Sequence, residues 1–322
     1  MPKHLCVFGL CVFALLVYAA GAVDYPNRPI RMVVPYAAGG TADVLARIMG
    51  QKFTDGWQQQ VVVDNRGGAN GNIGSDIVAK ADPDGHTMLL GTSGSNAVNP
   101  SLYSRMPYNA KRDLTLIAMV ASTANILVAN PKFPASSMKE FIELAKAKPG
   151  KLTYGSSGTG SVLHLSGELL KTITGIDIVH VPYKGTGPSL VDLFGGQIDV
   201  VFANLPSIVP MVKGGKLKGI AVTTAQRAAA LPDVPTMIEG GVPDYDVSSW
   251  FGIFVPAKTP KPITNMINSE VVRVLKTPAT RARLIELGAD PMFKAPEEAN
   301  RYFHDEIDKW AKVVKVSGAK AD

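Results

Sequence analysis

Residues 30–53 read IRMVVPYAAGGTADVLARIMGQKF, and this stretch decides the fold. Ile30 to Val34 is an apolar, partly β-branched run suited to a buried parallel strand, and Pro35, which has no ladder donor, ends it. Tyr36, Ala37, Ala38, Gly39 and Gly40 then offer backbone N–H groups with little side-chain cover. Thr41 is the expected N-cap, and Val44, Leu45, Ile48, Met49 and Phe53 follow at helical spacing. Strand, glycine turn and helix in this order belong to an open α/β sheet. There the turn lies at the strand's carboxyl end and faces a helix N-terminus, whose free amides and dipole favour an anion. One such turn is equally well a tight connection with no ligand.

Outward from this stretch the same order recurs. Residues 61–63 form a second expected strand, followed by a loop at Asn65-Arg66-Gly67-Gly68, a helix over 72–81, a turn at Asp82-Pro83-Asp84-Gly85 and a strand over 87–90. That strand opens on Gly91-Thr92-Ser93-Gly94-Ser95-Asn96, another loop of small polar residues. A βαβαβ run implies a parallel sheet with right-handed crossovers. Residues 116–120 and 126–129 read as two strands ending at Asn130-Pro131, the crossing to a second domain. Ser136 or Ser137 caps a helix carrying Met138, Phe141, Ile142 and Ala145. The opening pattern then returns as strand 152–154, turn Gly155-Ser156-Ser157-Gly158-Thr159-Gly160 and a helix from Ser161. Two such turns, one per domain, favour a shared cleft.

Further units follow: strand 178–181, loop 182–188, a helix to Phe194, strand 199–202, a helix after Asn204-Leu205-Pro206, and strand 217–223. The proline- and glycine-rich segment 228–246 is expected to wrap the surface, and 249–255 to cross back. Residues 262–275, 280–287 and 297–316 read as helices, the last with a core stripe of Phe303, Ile307, Trp310 and Val314. The expected division is residues 23–124 with 249–322 as a discontinuous first domain and 125–248 as the second.

Lys3 and His4 precede an uncharged apolar run from Leu5 to Ala20, and Ala20-Gly21-Ala22 is a small-residue cleavage site, so residues 1–22 read as a secretory signal peptide. The run is short for a membrane anchor, which needs about 20 apolar residues. Both cysteines, Cys6 and Cys11, lie within it, leaving the mature chain without a thiol, disulfide or cysteine metal ligand. The formal charge of +6 is spread among scattered Lys and Arg, with no basic helix, and gives no sign of nucleic acid binding.

Several chemistries are tested by their motifs. The Gly155 turn closes as Gly160-Ser161 without the lysine of a P-loop, and the dinucleotide fingerprint and the nucleophile elbow are both missing. His164 and His180 could serve a loop serine in a secreted hydrolase, but a helix or strand histidine is more often structural. His164 and Glu168, four apart on a helix, make half a zinc site with no third ligand nearby, so no metal or cofactor is expected. Asp43, in the first turn of its helix, would repel an anion aimed at it, and is expected to orient turn amides or receive a donor group of the ligand. Two cradles of amides and hydroxyls remain, suited to holding a small carboxylate by charge-assisted hydrogen bonds.

At this point the chain resembles the substrate-binding proteins of tripartite tricarboxylate transporters, the TctC/Bug family. The resemblance is carried by PYAAGGTAD (35–43), NRGGANGNIG (65–74), DGHTMLLGT (84–92), YGSSGTGSVLHL (154–165), VPYKGTGPSLVDLFGGQIDVVF (181–202), LPDVPT (231–236) and WFGIFVPAKTP (250–260), in that order. It implies an α/β periplasmic-binding-protein fold of the two-crossover kind, with a small carboxylate between two domains that close on it. It also implies a periplasmic location and a two-subunit membrane permease as partner; a monomer is the expectation for a diffusing receptor, and no catalysis is expected of cradles without a nucleophile, metal or phosphate lysine. By position, the first-domain cradle would be Tyr36, Ala38, Gly39, Thr41 and Asp43 with Ser93 beside it. The second would be Ser156, Ser157, Gly158 and Thr159, with Tyr183 and Asn204 lining the cleft. Many relatives carry Asp where this chain has Ala203, which weakens the case for an amino-acid ligand. A receptor that senses rather than feeds transport is a further alternative.

Overall fold

The computed structural model describes residues 24–317; the expected signal peptide lies outside them. In the N-terminal part are β1 (Ile30–Val34), α1 (Thr41–Trp57), β2 (Val61–Asn65), α2 (Asn72–Ala79), β3 (Thr87–Thr92), α3 (Asn99–Leu102), α4 (Ala110–Asp113) and β4 (Leu114–Ala129). Next come α5 (Met138–Ala147), β5 (Thr153–Ser156), α6 (Val162–Thr174), β6 (Val179–Pro182), α7 (Thr186–Phe194), β7 (Val200–Asn204), α8 (Leu205–Lys213) and β8 (Lys218–Val222). The chain ends with β9 (Ser248–Pro256), α9 (Lys261–Lys276), α10 (Pro278–Glu286), β10 (Ala289–Pro291) and α11 (Pro296–Ser317).

Hydrogen-bonded strands follow the order β2-β1-β3-β9-β4-β7-β5-β6, with β8 and β10 also paired to β4. β1 runs parallel to β2 and β3, and β5 parallel to β6 and β7, as the βαβ pattern requires. Every pairing of β4 and β9, including those of β8 and β10 with β4, is antiparallel. Residues 114–124 of β4 pair with β9, whereas 125–129 pair with β7, so the strand leaves one half of the sheet at Ala124 and enters the other at Asn125.

Each half is a sheet covered on both faces, and alternation along the strands assigns the faces. In β1, Met32 and Val34 join Leu45 and Phe53 of α1 and Val271 of α9, while Val33 points the other way to Leu89, Phe254 and Phe303. In β7, Val200 and Phe202 pack with Phe141, Tyr154 and Tyr245, while Val201 and Ala203 face Leu193 and Ile208. Phe303, Ile307 and Trp310 of α11 pack on the first half.

The structure corrects several readings. β4 is one continuous strand, because the small residues 121–124 pair with β9 rather than forming a break. The N-cap of α1 is Gly40, while Thr41 is the first helical residue and turns its hydroxyl elsewhere. After β3 the chain does not stay a loop but winds into a turn over Ser93–Val98, capped reciprocally by Thr92 and Ser95. The end of the loop read over 182–188 is already α7. Segment 228–246 is irregular but not superficial, since Met237, Val242 and Tyr245 are fully buried in the core of the second half.

Candidate functional site

A cavity lies where the two halves meet. Its wall is made from the first turns of helices. Gly40, Thr41 and Ala42 begin α1, Ser93 and Gly94 follow β3, Ser161, Val162 and Leu163 begin α6, Thr186 begins α7, and Asn204 precedes α8. These helices start here because each follows the carboxyl end of a parallel strand, or of β7 beside them, so their amino ends converge. Tyr36, Thr92, Ser157, Ser249 and Phe251 complete the lining. None of these residues is a Lys, Arg, His, Asp or Glu, and the only titratable one, Tyr36, is held neutral, its phenol pushed up to about 12 chiefly by burial. The positive field in the cavity therefore comes from backbone dipoles and N–H groups, reinforced by hydroxyls.

Tertiary hydrogen bonds fix the wall. The Tyr36 hydroxyl lies 3.1 Å from Asn70 Oδ1 and 3.3 Å from Thr92 Oγ1. Ser161 caps α6, its Oγ accepting the His164 N–H at 3.1 Å. At the floor, Asn125 Oδ1 of β4 accepts from Asn204 Nδ2 at 2.6 Å and from Ser249 Oγ of β9 at 2.9 Å. One buried polar cluster thus joins the cavity to both strands that cross between the halves.

The halves also touch directly beside the cavity. Ala37 N donates to Lys184 O at 2.8 Å, and Thr41 Oγ1 lies 3.3 Å from Asn204 O and 3.2 Å from Ser207 Oγ. Gly187 sits so close to Ala38 that a β-carbon there would stand 2.1 Å from the Ala38 carbonyl oxygen.

Of the residues expected to bind, Tyr36, Thr41, Ser93, Ser157 and Asn204 are brought together around this cavity. Ala38, Gly39 and Tyr183 line a separate, open groove against α7, where the Tyr183 hydroxyl donates to Asp192. Asp43 accepts the Gly39 N–H at 3.1 Å and pairs with Arg47, so it orders the turn. Ser156 is fully buried beneath its turn, Gly158 N donates to Ser156 Oγ, and the Thr159 carbonyl faces Tyr103. Ala203 lies in an apolar cluster with Ile126 and Leu205, not on the cavity wall. Among the wall residues that sequence reasoning missed are Gly40, Thr92, Ser161, Thr186, Ser249 and Phe251. Gly40 and Thr186 could have been found as strand-end glycine-turn and helix-start positions, whereas Ser249 and Phe251 arrive only by tertiary pairing of β9.

His180 Nε2 lies 2.7 Å from Ser156 Oγ, the contact a serine hydrolase would use. However, that hydroxyl is buried and already accepts the Gly158 amide, and burial together with the neighbouring His164 and Lys171 pushes the His180 imidazole down to about 3. Such a ring is a poor base near neutral pH. Among the described residues, no three His, Cys, Asp or Glu side chains are grouped to hold a metal.

A sequence model of the tripartite tricarboxylate transporter family receptor matches residues 45–319. The protein BugT of Bordetella pertussis is 37% identical over 322 residues, covering 99% of each chain. Two solved structures from Rhodopseudomonas palustris superimpose closely. Rpa4515 with adipate is 39% identical, with a TM-score of 0.88 over 92% of this chain and 99% of its own. MatC with bound malate is 33% identical, with a TM-score of 0.84 over 90% of this chain and 100% of its own.

Proposed function

This chain belongs to the tripartite tricarboxylate transporter receptor family, whose members are periplasmic solute-binding proteins, and from that premise we propose what it binds and how. The ligand is a small organic carboxylate held in the cavity between residues 40–42 and 157–163. The observation that carries this reading is a wall of convergent helix N-termini with no charged side chain. Relatives crystallised with adipate and malate support the ligand class. Residues 23–124 with 249–322 move as one lobe and 125–248 as the other, bending at Ala124/Asn125 and at Ser248/Ser249. Ligand that touches both lobes binds the closed form better than the open one and so drives closure. The exported chain, cleaved after about Ala22, acts as a monomer without catalysis and hands its ligand to a two-subunit membrane permease.

A thermal-shift and calorimetry panel of malate, adipate, citrate and related mono-, di- and tricarboxylates tests this. At least one should raise the melting temperature, by roughly 2.7 kcal/mol of stabilisation at a hundredfold excess over Kd. Ser161→Ala and a bulky Gly40→Trp should weaken that binding. If no carboxylate stabilises the protein, or if both variants bind it as the parent does, the reading is wrong. Conversion of a bound compound to product would refute the absence of catalysis.

A further inference from the structure

The second-lobe turn is held from behind by two histidines that do not reach the cavity. His164 Nδ1 accepts the Gly160 N–H at 3.0 Å, and His180 Nε2 meets Ser156 Oγ at 2.7 Å. Ser156 Oγ in turn accepts the Gly158 N–H at 3.1 Å. Both ends of the turn, which carries Ser157 into the cavity, are therefore pinned through imidazoles. The two rings stack with centroids 4.0 Å apart and planes at 28°. An imidazole accepting a backbone N–H at Nδ1 must be unprotonated there, so His164 is the neutral Nε2–H tautomer.

We propose that His164 and His180, as a neutral stacked pair, are positioning residues for the 156–160 turn, and that protonation of the pair releases it. Protonated His164 would present a donor to the Gly160 N–H in place of an acceptor, and a cation stacked at 4.0 Å opposes a second charge. The surrounding groups act in both directions. From β5, Tyr154 lays its ring 4.9 Å from His180 and donates its hydroxyl to Glu168. From α6, Glu168 lies 3.9 Å from His164 Nε2 and would favour a charge on that ring, but Lys171 bridges the same carboxylate at 3.1 Å and opposes it. Tyr245 couples to Tyr154 rather than to the rings. Burial outweighs Glu168, and both imidazoles are held below their ordinary value.

That the turn binds ligand rests on the reading above, so the test separates the two. In ¹⁵N-labelled full-length protein, amide exchange of Gly160 is followed from about pH 7.5 to about pH 3, where His180 also takes up its proton, with near-UV circular dichroism to confirm the fold; its protection factor should fall about tenfold or more. His164→Asn supplies an oxygen acceptor that cannot titrate and should keep Gly160 protected across the range, whereas His164→Leu should lose the protection even near neutral pH. Unchanged Gly160 protection in the parent, or an equal loss in His164→Asn, would overturn the proposal. Calorimetry with malate, adipate and citrate over the same pH range should show affinity falling more steeply in the parent than in His164→Asn, whose remaining slope reports protonation of the ligand carboxylates themselves. Affinity that falls equally in the parent and in His164→Asn, while the amide is released only in the parent, would remove the turn from the binding site and leave its positioning by the histidines intact.

Discussion

Gly187→Ala is the sharpest test of closure, because it adds one methyl group where the two halves meet. The new β-carbon would stand 2.1 Å from the Ala38 carbonyl oxygen and 3.5 Å from Gly39 Cα. Carbon and oxygen do not approach so closely, so the seam must open by roughly 1 Å to reach ordinary contact. That opening breaks the Ala37 N–H to Lys184 O bond and the Thr41 contacts to Asn204 and Ser207. At about 1 kcal/mol net for each, the closed form loses about 2–4 kcal/mol relative to the open one. Because affinity scales with the population of the competent form, Kd should rise roughly 30-fold to 1,000-fold. The clash exists only across the seam, and alanine suits the first turn of α7 at least as well as glycine, so the ligand-free melting temperature should not fall. Calorimetry with the best carboxylate, calorimetric melting without it, and small-angle scattering with and without ligand would measure each part. A Kd within about threefold of the parent would refute the closure argument. A large loss of affinity together with a lower melting temperature would trace it to damaged folding instead.

Other expectations are more local. Ser161→Ala removes the cap that accepts the His164 N–H and should cost about 1 kcal/mol of stability, read by urea denaturation, besides weakening carboxylate binding. Glu306→Ala leaves the buried Trp250 indole N–H without its carboxylate partner at 2.9 Å and should cost about 1–3 kcal/mol, whereas Glu306→Gln should cost less. Stability should also depend on pH through His164 and His180, both depressed chiefly by burial. Their contribution is complete above about pH 6.5, where the unfolded chain is neutral too, and declines as acid protonates the unfolded chain first. Denaturation midpoints should therefore fall between about pH 6.5 and about pH 3, and the slope should flatten in His180→Gln.

Much of this architecture is visible in the chain, because the parallel strands are short apolar runs and their turns are rich in glycine. The sequence divides β4 in two because Ala121, Ser122, Thr123 and Ala124 lack the large apolar side chains of a strand run; their continuity comes from pairing with β9, which is a tertiary fact. β10 is three residues ending in proline, below any pattern a sequence can show. In segment 228–246, proline and glycine announce irregular backbone but say nothing of burial, and Tyr245 ends in the core. Thr41 looked like a cap because hydroxyls favour that position, yet its oxygen reaches the other half of the molecule. The two turns were legible as strand-to-helix connections, while the division of their residues between cavity, outer groove and buried support was not. That division depends on which backbone groups each turn already satisfies internally, as Asp43 does for Gly39 and Ser156 for Gly158.

The placement of β9 between β3 and β4 sets an order of assembly. All the strands of the second half except the shared β4 lie in one uninterrupted stretch, so that half can form as soon as its residues are available. The first half cannot: its middle position stays vacant until residues 248–256 are delivered, and until then β3 presents a bare edge. A nascent chain with three quarters of its length made therefore still carries an incomplete sheet, a state open to unfolded passage through a membrane and closed only by the last quarter to arrive.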